Sequence, residues 1–309
     1  MKKLHIAYGH DYLNWRLGGG HPTNPERATL ATAFIEHALG AENITILTPE
    51  AHHDDVEKLY SIHDPAYVDE VVYDGRSPEW YDSDIELGKT ALQMFAGTAR
   101  LAEKMFSGEA TVAFNPQGAK HHAHYDTSGG FCVFNDMAWA ATEFGKRGMR
   151  VMYIDWDAHH GDGVEELLYN TEHLTASIHD GTIFPGTGRS GHDEKNFAYN
   201  WALDAKSGDI EFKQAIDEIE ALADTYKPDV ILLATGADAH ETDPLSTLRF
   251  TEDGYTYAAK AVARIASKHT GGRVLIGGAG GYQPHTHTPR IWADVVTTIY
   301  TELSAEEAA

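Results

Sequence analysis

Short apolar runs at residues 44–47, 111–114, 151–154, 174–178, 230–234 and 274–276 alternate along this chain with longer stretches of helical periodicity at 84–106, 135–147, 163–169, 210–226, 251–268 and 289–303. Runs this short and this uniformly apolar read as strands buried on both faces, and strands that take turns with helices build a parallel sheet. The pattern predicts an α/β fold, a mostly parallel β-sheet sandwiched between helices. No Pro/Ser-rich linker, low-complexity tract or fixed repeat divides the chain, which is read as a single domain over 1–309. Some helix boundaries have local causes: Thr251, ahead of Glu252 and Asp253, is expected to cap its helix through the side chain.

In a sheet of this kind ligands gather beyond the carboxyl ends of the strands, and polar residues are concentrated there. The 151–154 run leads into Asp155, Asp157, His159 and Asp162, and the 111–114 run toward His121 and His122. The 230–234 run leads to Asp238, and the 274–276 run to a glycine-rich stretch, 277–281, followed by Tyr282. Asp157 and His159, two apart, are read as projecting to one side of an extended chain end and gripping one cation together with Asp238. Two hard oxygens and one nitrogen, with no thiolate nearby, suit zinc or iron(II) with positions left open for water and substrate. An open site of this kind polarises a carbonyl and lowers the pKa of a bound water.

His121 and His122 are then free for proton transfer, and Asp155 and Asp162 can each hold one imidazole in a fixed tautomer. Tyr282 is placed to donate a hydrogen bond to an oxyanion forming opposite the metal. A dinuclear manganese hydrolase of the arginase type would need Asp-x-His-x-Asp and later Asp-x-Asp, but Gly161 and His240 stand where carboxylates of those motifs belong. One metal is the count these residues support.

With 24 Lys and Arg against 47 Asp and Glu, the formal charge is -23 and no basic patch stands out, which argues against a nucleic-acid partner. No run approaches the roughly 18 apolar residues of a membrane span, and the N-terminus lacks a signal-peptide core. A cytoplasmic protein without membrane contact is expected. The one cysteine, Cys132, cannot form an internal disulfide and is read as a small buried hydrophobe.

Several stretches, taken in order, resemble one family: Gly20 to Arg27, His121-His122-Ala, Ser128 to Asp136, Tyr153 to Glu165, Phe184 to Gly188, Gly236-Ala-Asp238 and Gly277 to Tyr282. Together they are similar to the zinc-dependent histone deacetylases, close to the bacterial acetoin-utilisation deacetylases. The resemblance implies the arginase/deacetylase fold and hydrolysis of an acetylated amine to free amine and acetate. It implies Asp157, His159 and Asp238 as zinc ligands, the pairs His121–Asp155 and His122–Asp162, and Tyr282 as the phenol that polarises the carbonyl. It further implies a tunnel walled by Phe131 and Phe184 with Gly130 at its side, and a structural potassium site built from Asp155, Asp157, His159, Ser177 and the Ile178 carbonyl. The resemblance also places Arg27 at an internal channel near the acetate exit. A rim acid is expected at Asp84, with Asp82 as the alternative, and His122 is favoured as the acid/base of greater weight. The implied substrate is an acetylated protein lysine; an acetylated polyamine and a non-catalytic binder of acetylated ligands are the rival readings.

Overall fold

A computed structural model describes residues 2–18, 20–189 and 191–308, so both ends of the 1–309 span lie outside it. Among the described residues eight strands join one sheet: β1 Leu4–Ala7, β2 Ile44–Leu47, β3 Val112–Asn115, β4 Val151–Asp155, β5 Leu174–Asp180, β6 Ala198–Leu203, β7 Val230–Ala234 and β8 Val274–Gly277. Their order is β2-β1-β3-β8-β7-β4-β5-β6, and every neighbouring pair runs parallel. β1 and β6 go beyond the sequence expectation. His5 interrupts the apolar run of β1, and β6 is an edge strand in which Ala198 and Asn200 are buried and the other residues half-exposed or exposed.

The helices are α1 Glu26–Leu39, α2 His53–Leu59, α3 Pro65–Asp74, α4 Ile85–Phe106, α5 Asp136–Gly145, α6 Asp162–Leu168, α7 Asp209–Tyr226, α8 Glu252–Ile265 and α9 His287–Ala308. The first three were not anticipated. In α1 the buried face consists of Arg27, Ala28, Ala31, Thr32 and Ile35, too small and too polar to stand out as an apolar stripe. Thr251 does occupy the N-cap of α8, but its side chain makes no cap bond. Its hydroxyl donates to Asp209 Oδ2 at 2.7 Å and ties α8 to the start of α7.

Alternation along each strand feeds two cores. Met152 and Ile154 pack with residues of α1, α7, α8 and α9, while Val151 and Tyr153 pack with residues of α2 to α6. Helices therefore cover both faces, as the uniformly apolar strands require. No helix among the described residues is long and apolar enough to cross a membrane. For the site, the decisive feature is strand order: β3, β8, β7 and β4 are consecutive, so four carboxyl ends that are far apart in sequence open side by side.

Candidate active site

β4 ends at Asp155, and the chain then passes through two side-chain-bonded turns rather than continuing as the regular extended end that the two-residue spacing suggests. Asp155 Oδ1 accepts the Asp157 N–H at 2.9 Å, and Asp157 Oδ1 accepts the His159 N–H at 2.9 Å. Each aspartate bonds the backbone two residues on, as Asx turns do, and the turning chain delivers both side chains to one place. Asp238, beyond β7, is held by the Ala158 N–H on Oδ1 at 2.9 Å, and the Gly280 N–H, beyond β8, donates to Asp157 Oδ2 at 2.6 Å. His159 Nδ1 lies 3.1 Å from Asp157 Oδ1 and 2.9 Å from Asp238 Oδ2. One ligand atom from each of Asp157, His159 and Asp238 falls within 4.8 Å of the other two.

Asp157 and Asp238 are buried, and among the described residues neither forms an ion pair with a Lys or Arg. Two buried carboxylates facing each other are costly unless a cation sits between them. A proton on His159 fills that role here. Burial opposes it, but Asp157 and Asp238 outweigh burial and hold the imidazole up to about 11. Burial and the Asp157 charge raise Asp238 to about 7, while His121 and His159 hold Asp157 below the usual carboxylate range against its own burial. The donor set and the buried charge both fit a zinc- or iron-type dication.

Two histidine–aspartate pairs stand beside the cluster. His121 Nδ1 is 2.8 Å from Asp155 Oδ2, His122 Nδ1 is 2.6 Å from Asp162 Oδ1, and the two rings lie 4.0 Å apart. Burial disfavours the charged form of both, yet they diverge. Asp155 and Asp157 outweigh burial at His121 and raise it to about 9, whereas the His121 charge adds to burial at His122 and lowers it to about 3. A proton donor therefore sits against an acceptor. Gly161 bears on the metal count: a β-carbon there would lie 2.5 Å from Asp155 Oδ2, so no third ligand side chain fits at that position. Ser177 pairs in register with Asp155 across β4 and β5, with Ile178 next along the strand.

Two cavities meet at Gly130, Phe131 and Tyr282. The outer one, about 410 Å³, is walled by Phe131 and Phe184 and reaches His122, His159 and Tyr282. The Phe184 ring is 5.1 Å from that of His122, and Phe131 is 6.1 Å from Tyr282. Gly130, at φ +52°, lies against His122 so closely that any side chain would overlap the ring. Burial keeps the Tyr282 phenol well above its ordinary pKa and so protonated, and its backbone N–H donates to Asp243 Oδ2 at 2.8 Å. The inner cavity, about 20 Å³, is bordered by Arg27, Lys120 and Cys132. Arg27 Nη1 donates to the Gly281 carbonyl at 2.7 Å, while its buried Nε has no partner. Burial pushes Lys120 down to about 8 and the Cys132 thiol up to about 12, so Cys132 is a neutral buried group.

Neither acid expected at the rim is among the residues lining the outer cavity. Asp84 caps α4, with Oδ1 accepting the Glu86 and Leu87 N–H groups at 2.9 and 3.1 Å, and Asp82 lines a separate surface hollow beside Trp80. The acid on the outer cavity is Glu79, whose Oε2 accepts the Phe131 N–H at 3.0 Å. Nothing local in the sequence marks it. Lys120 and Tyr153 were also missed, and both carry a signal. Lys120 immediately precedes the histidine pair, and Tyr153, two residues before Asp155 on the same strand face, donates to Asp155 Oδ2 at 2.6 Å.

The profile of the histone deacetylase domain matches residues 21–299. The chain belongs to the histone deacetylase family. Among its relatives in that family, the acetoin utilization protein AcuC of Bacillus subtilis (strain 168) is 32% identical over 96% of this chain and 81% of that protein. A probable deacetylase of Archaeoglobus fulgidus is 32% identical over 90% of this chain and 80% of its own length. The solved HD domain of HDA15 superposes with a TM-score of 0.83 at 22% identity, covering 97% of this chain and 88% of that one, a likeness of fold. As a member of the histone deacetylase family, the protein is a hydrolase, and the reaction class is deacetylation.

Proposed function

We propose that this protein removes the acetyl group from N-acetyl-lysine side chains of proteins, as a single cytoplasmic deacetylase domain over 1–309 with no nucleic-acid or membrane partner. The observation that carries the reading is the buried Asp157, His159 and Asp238 cluster at the end of a cavity walled by two phenylalanines. These three residues would hold zinc, with iron(II) the alternative for the same donors. When bound, the metal polarises the acetyl carbonyl and lowers the pKa of a water. Phe131 and Phe184 take the four-carbon lysine stem. Tyr282, kept protonated, donates to the carbonyl oxygen as charge develops on it.

His122, the neutral imidazole, takes the proton of the attacking water, and Asp162 stabilises the imidazolium that results. His121 holds its proton against Asp155. The two dyads titrate together and return a proton to the departing amine. Acetate then meets Arg27 and Lys120 at the inner cavity, where two cations favour its carboxylate. Asp155, Asp157, His159, Ser177 and the Ile178 carbonyl are assigned a structural potassium ion.

A protein lysine is favoured over a polyamine because the outer cavity is walled by two phenylalanines and has one acid, Glu79, among its lining residues. Glu79 Oε2 already accepts the Phe131 N–H at 3.0 Å, and burial raises the carboxyl pKa against that bond. Acetate release from acetyl-lysine peptides and from acetylspermidine by the metal-loaded protein tests this. A higher kcat/KM on the peptides is expected; the reverse order would make the protein a polyamine amidohydrolase, and no release from either would end the deacetylase reading.

Metal binding should release protons. The metal-free cluster holds a proton on His159, and part of another on Asp238 near neutrality, and a dication must displace both. Zinc affinity is therefore expected to fall as pH falls from about 8 to about 6, by about tenfold per unit for each proton displaced. Competition titrations at a series of pH values measure this, and a flat profile would exclude a protonated His159.

A further inference from the structure

His240 stands two residues beyond Asp238, where a dinuclear site would carry a second aspartate. It has a different set of neighbours. Its Nδ1 is 2.8 Å from Thr242 Oγ1, its Nε2 is 3.4 Å from Glu252 Oε2, and its ring stacks on His287 with centroids 4.5 Å apart. Glu252 spans the two imidazoles, with Oε1 3.3 Å from His287 Nδ1. One ligand atom from each of His240, Glu252 and His287 lies within 4.8 Å of the others. The three come from separate elements: the segment after β7, the first residue of α8 and the first residue of α9.

We propose that His240, Glu252 and His287 form a second, peripheral site for a divalent transition-metal cation of the zinc type. Two imidazoles and one carboxylate are a set that zinc accepts, whereas calcium and magnesium call for a shell of oxygens. The separations of 3.3 and 3.4 Å are long for charge-assisted hydrogen bonds, which run to about 2.7–2.9 Å, so direct pairing does not satisfy the carboxylate fully. The buried member is oriented in advance. The His240 ring is only 3% exposed, and its bond to Thr242 sets which nitrogen faces Glu252, as outer partners do for metal-binding histidines. Tetrahedral bonds of 2.0–2.1 Å put donors about 3.4 Å apart, so a cluster whose ligand atoms lie within 4.8 Å of one another has at most about 1.4 Å to contract. The two rings are inclined by only 23°, so one must turn to share an ion in its plane. His287, with its side chain 38% exposed at the start of α9, is free to do so.

The location gives the site a consequence. The segment that bears His240 also bears Asp238, at the metal cluster, and Asp243, which accepts the Tyr282 N–H. A cation joining His240 to α8 and α9 would anchor that segment to the helix layer.

Zinc stoichiometry on untagged protein tests the proposal. Stripped protein dialysed against excess zinc should retain two equivalents, while His287→Ala, at a half-exposed position, and Glu252→Ala, at an exposed one, should each retain one with unchanged thermal unfolding in chelator. Cobalt(II), used as a spectroscopic probe, should show a second set of bands that both variants lose. One equivalent in the parent protein, or two in both variants, overturns the proposal. Asp238→Asn removes the other equivalent, so this result and the deacetylase reading fail independently.

Discussion

Asp238→Asn is expected to bind no metal at the Asp157 cluster and to lose turnover by more than the roughly 10–100-fold that removing a mere outer partner of a ligand costs. The substitution keeps the side-chain shape and an oxygen acceptor for the Ala158 N–H, which now bonds Oδ1 at 2.9 Å. What it removes is the charge facing His159 from 2.9 Å. In the metal-free protein that change should also relax His159, since Asp238 is one of the two carboxylates that hold its proton. Elemental analysis of the purified variant, with circular dichroism to establish the fold, gives the answer. Stoichiometric metal at the cluster in a folded Asp238→Asn protein would remove Asp238 from the ligand set.

Tyr282→Phe should leave metal content unchanged and reduce kcat about 10²–10³-fold, the 2.7–4 kcal/mol typical of losing one oxyanion donor. The phenol is buried among Asp238, Asp157 and Arg27, and burial raises its pKa so far that it can only donate. Its ring packs 6.1 Å from Phe131, and its backbone is fixed by Asp243, so phenylalanine should occupy the same space with the same neighbours. Single-turnover kinetics separate the chemical step from product release. Loss confined to KM would mean that Tyr282 binds the substrate without stabilising the transition state.

Much of the fold was legible because a parallel sheet writes its strands as short, uniformly apolar runs. Val230–Ala234 is such a run, and all five residues are buried. The elements that escaped notice are those whose burial depends on position more than composition: β1 with His5 in its middle, the half-exposed edge strand β6, and α1 with an alanine and threonine face. At the site, the aspartates and histidines could be chosen from their place after apolar runs. Their local geometry could not, since the Asx turns at Asp155 and Asp157 replaced an expected extended end. Which acid lines the outer cavity is illegible in the sequence for a related reason. Asp82, Asp84 and Glu79 are equivalent as sequence, and only the folded loop sends Asp84 to cap a helix and brings Glu79 to the cavity.

By itself the sequence determined the layer architecture, the identity of the polar residues beyond four strands and, through Gly161, the absence of a further carboxylate in the ligand run. These follow from short-range rules: periodicity selects strand or helix, and residue chemistry selects possible ligands. The tertiary structure alone decided that β3, β8, β7 and β4 lie side by side, so that residues from His121 to Tyr282 share one site. It also decided that one histidine of the pair is driven to hold a proton and the other to release it. The physical reason is that burial and distance set electrostatic energies, and both are properties of the packed chain rather than of neighbouring letters.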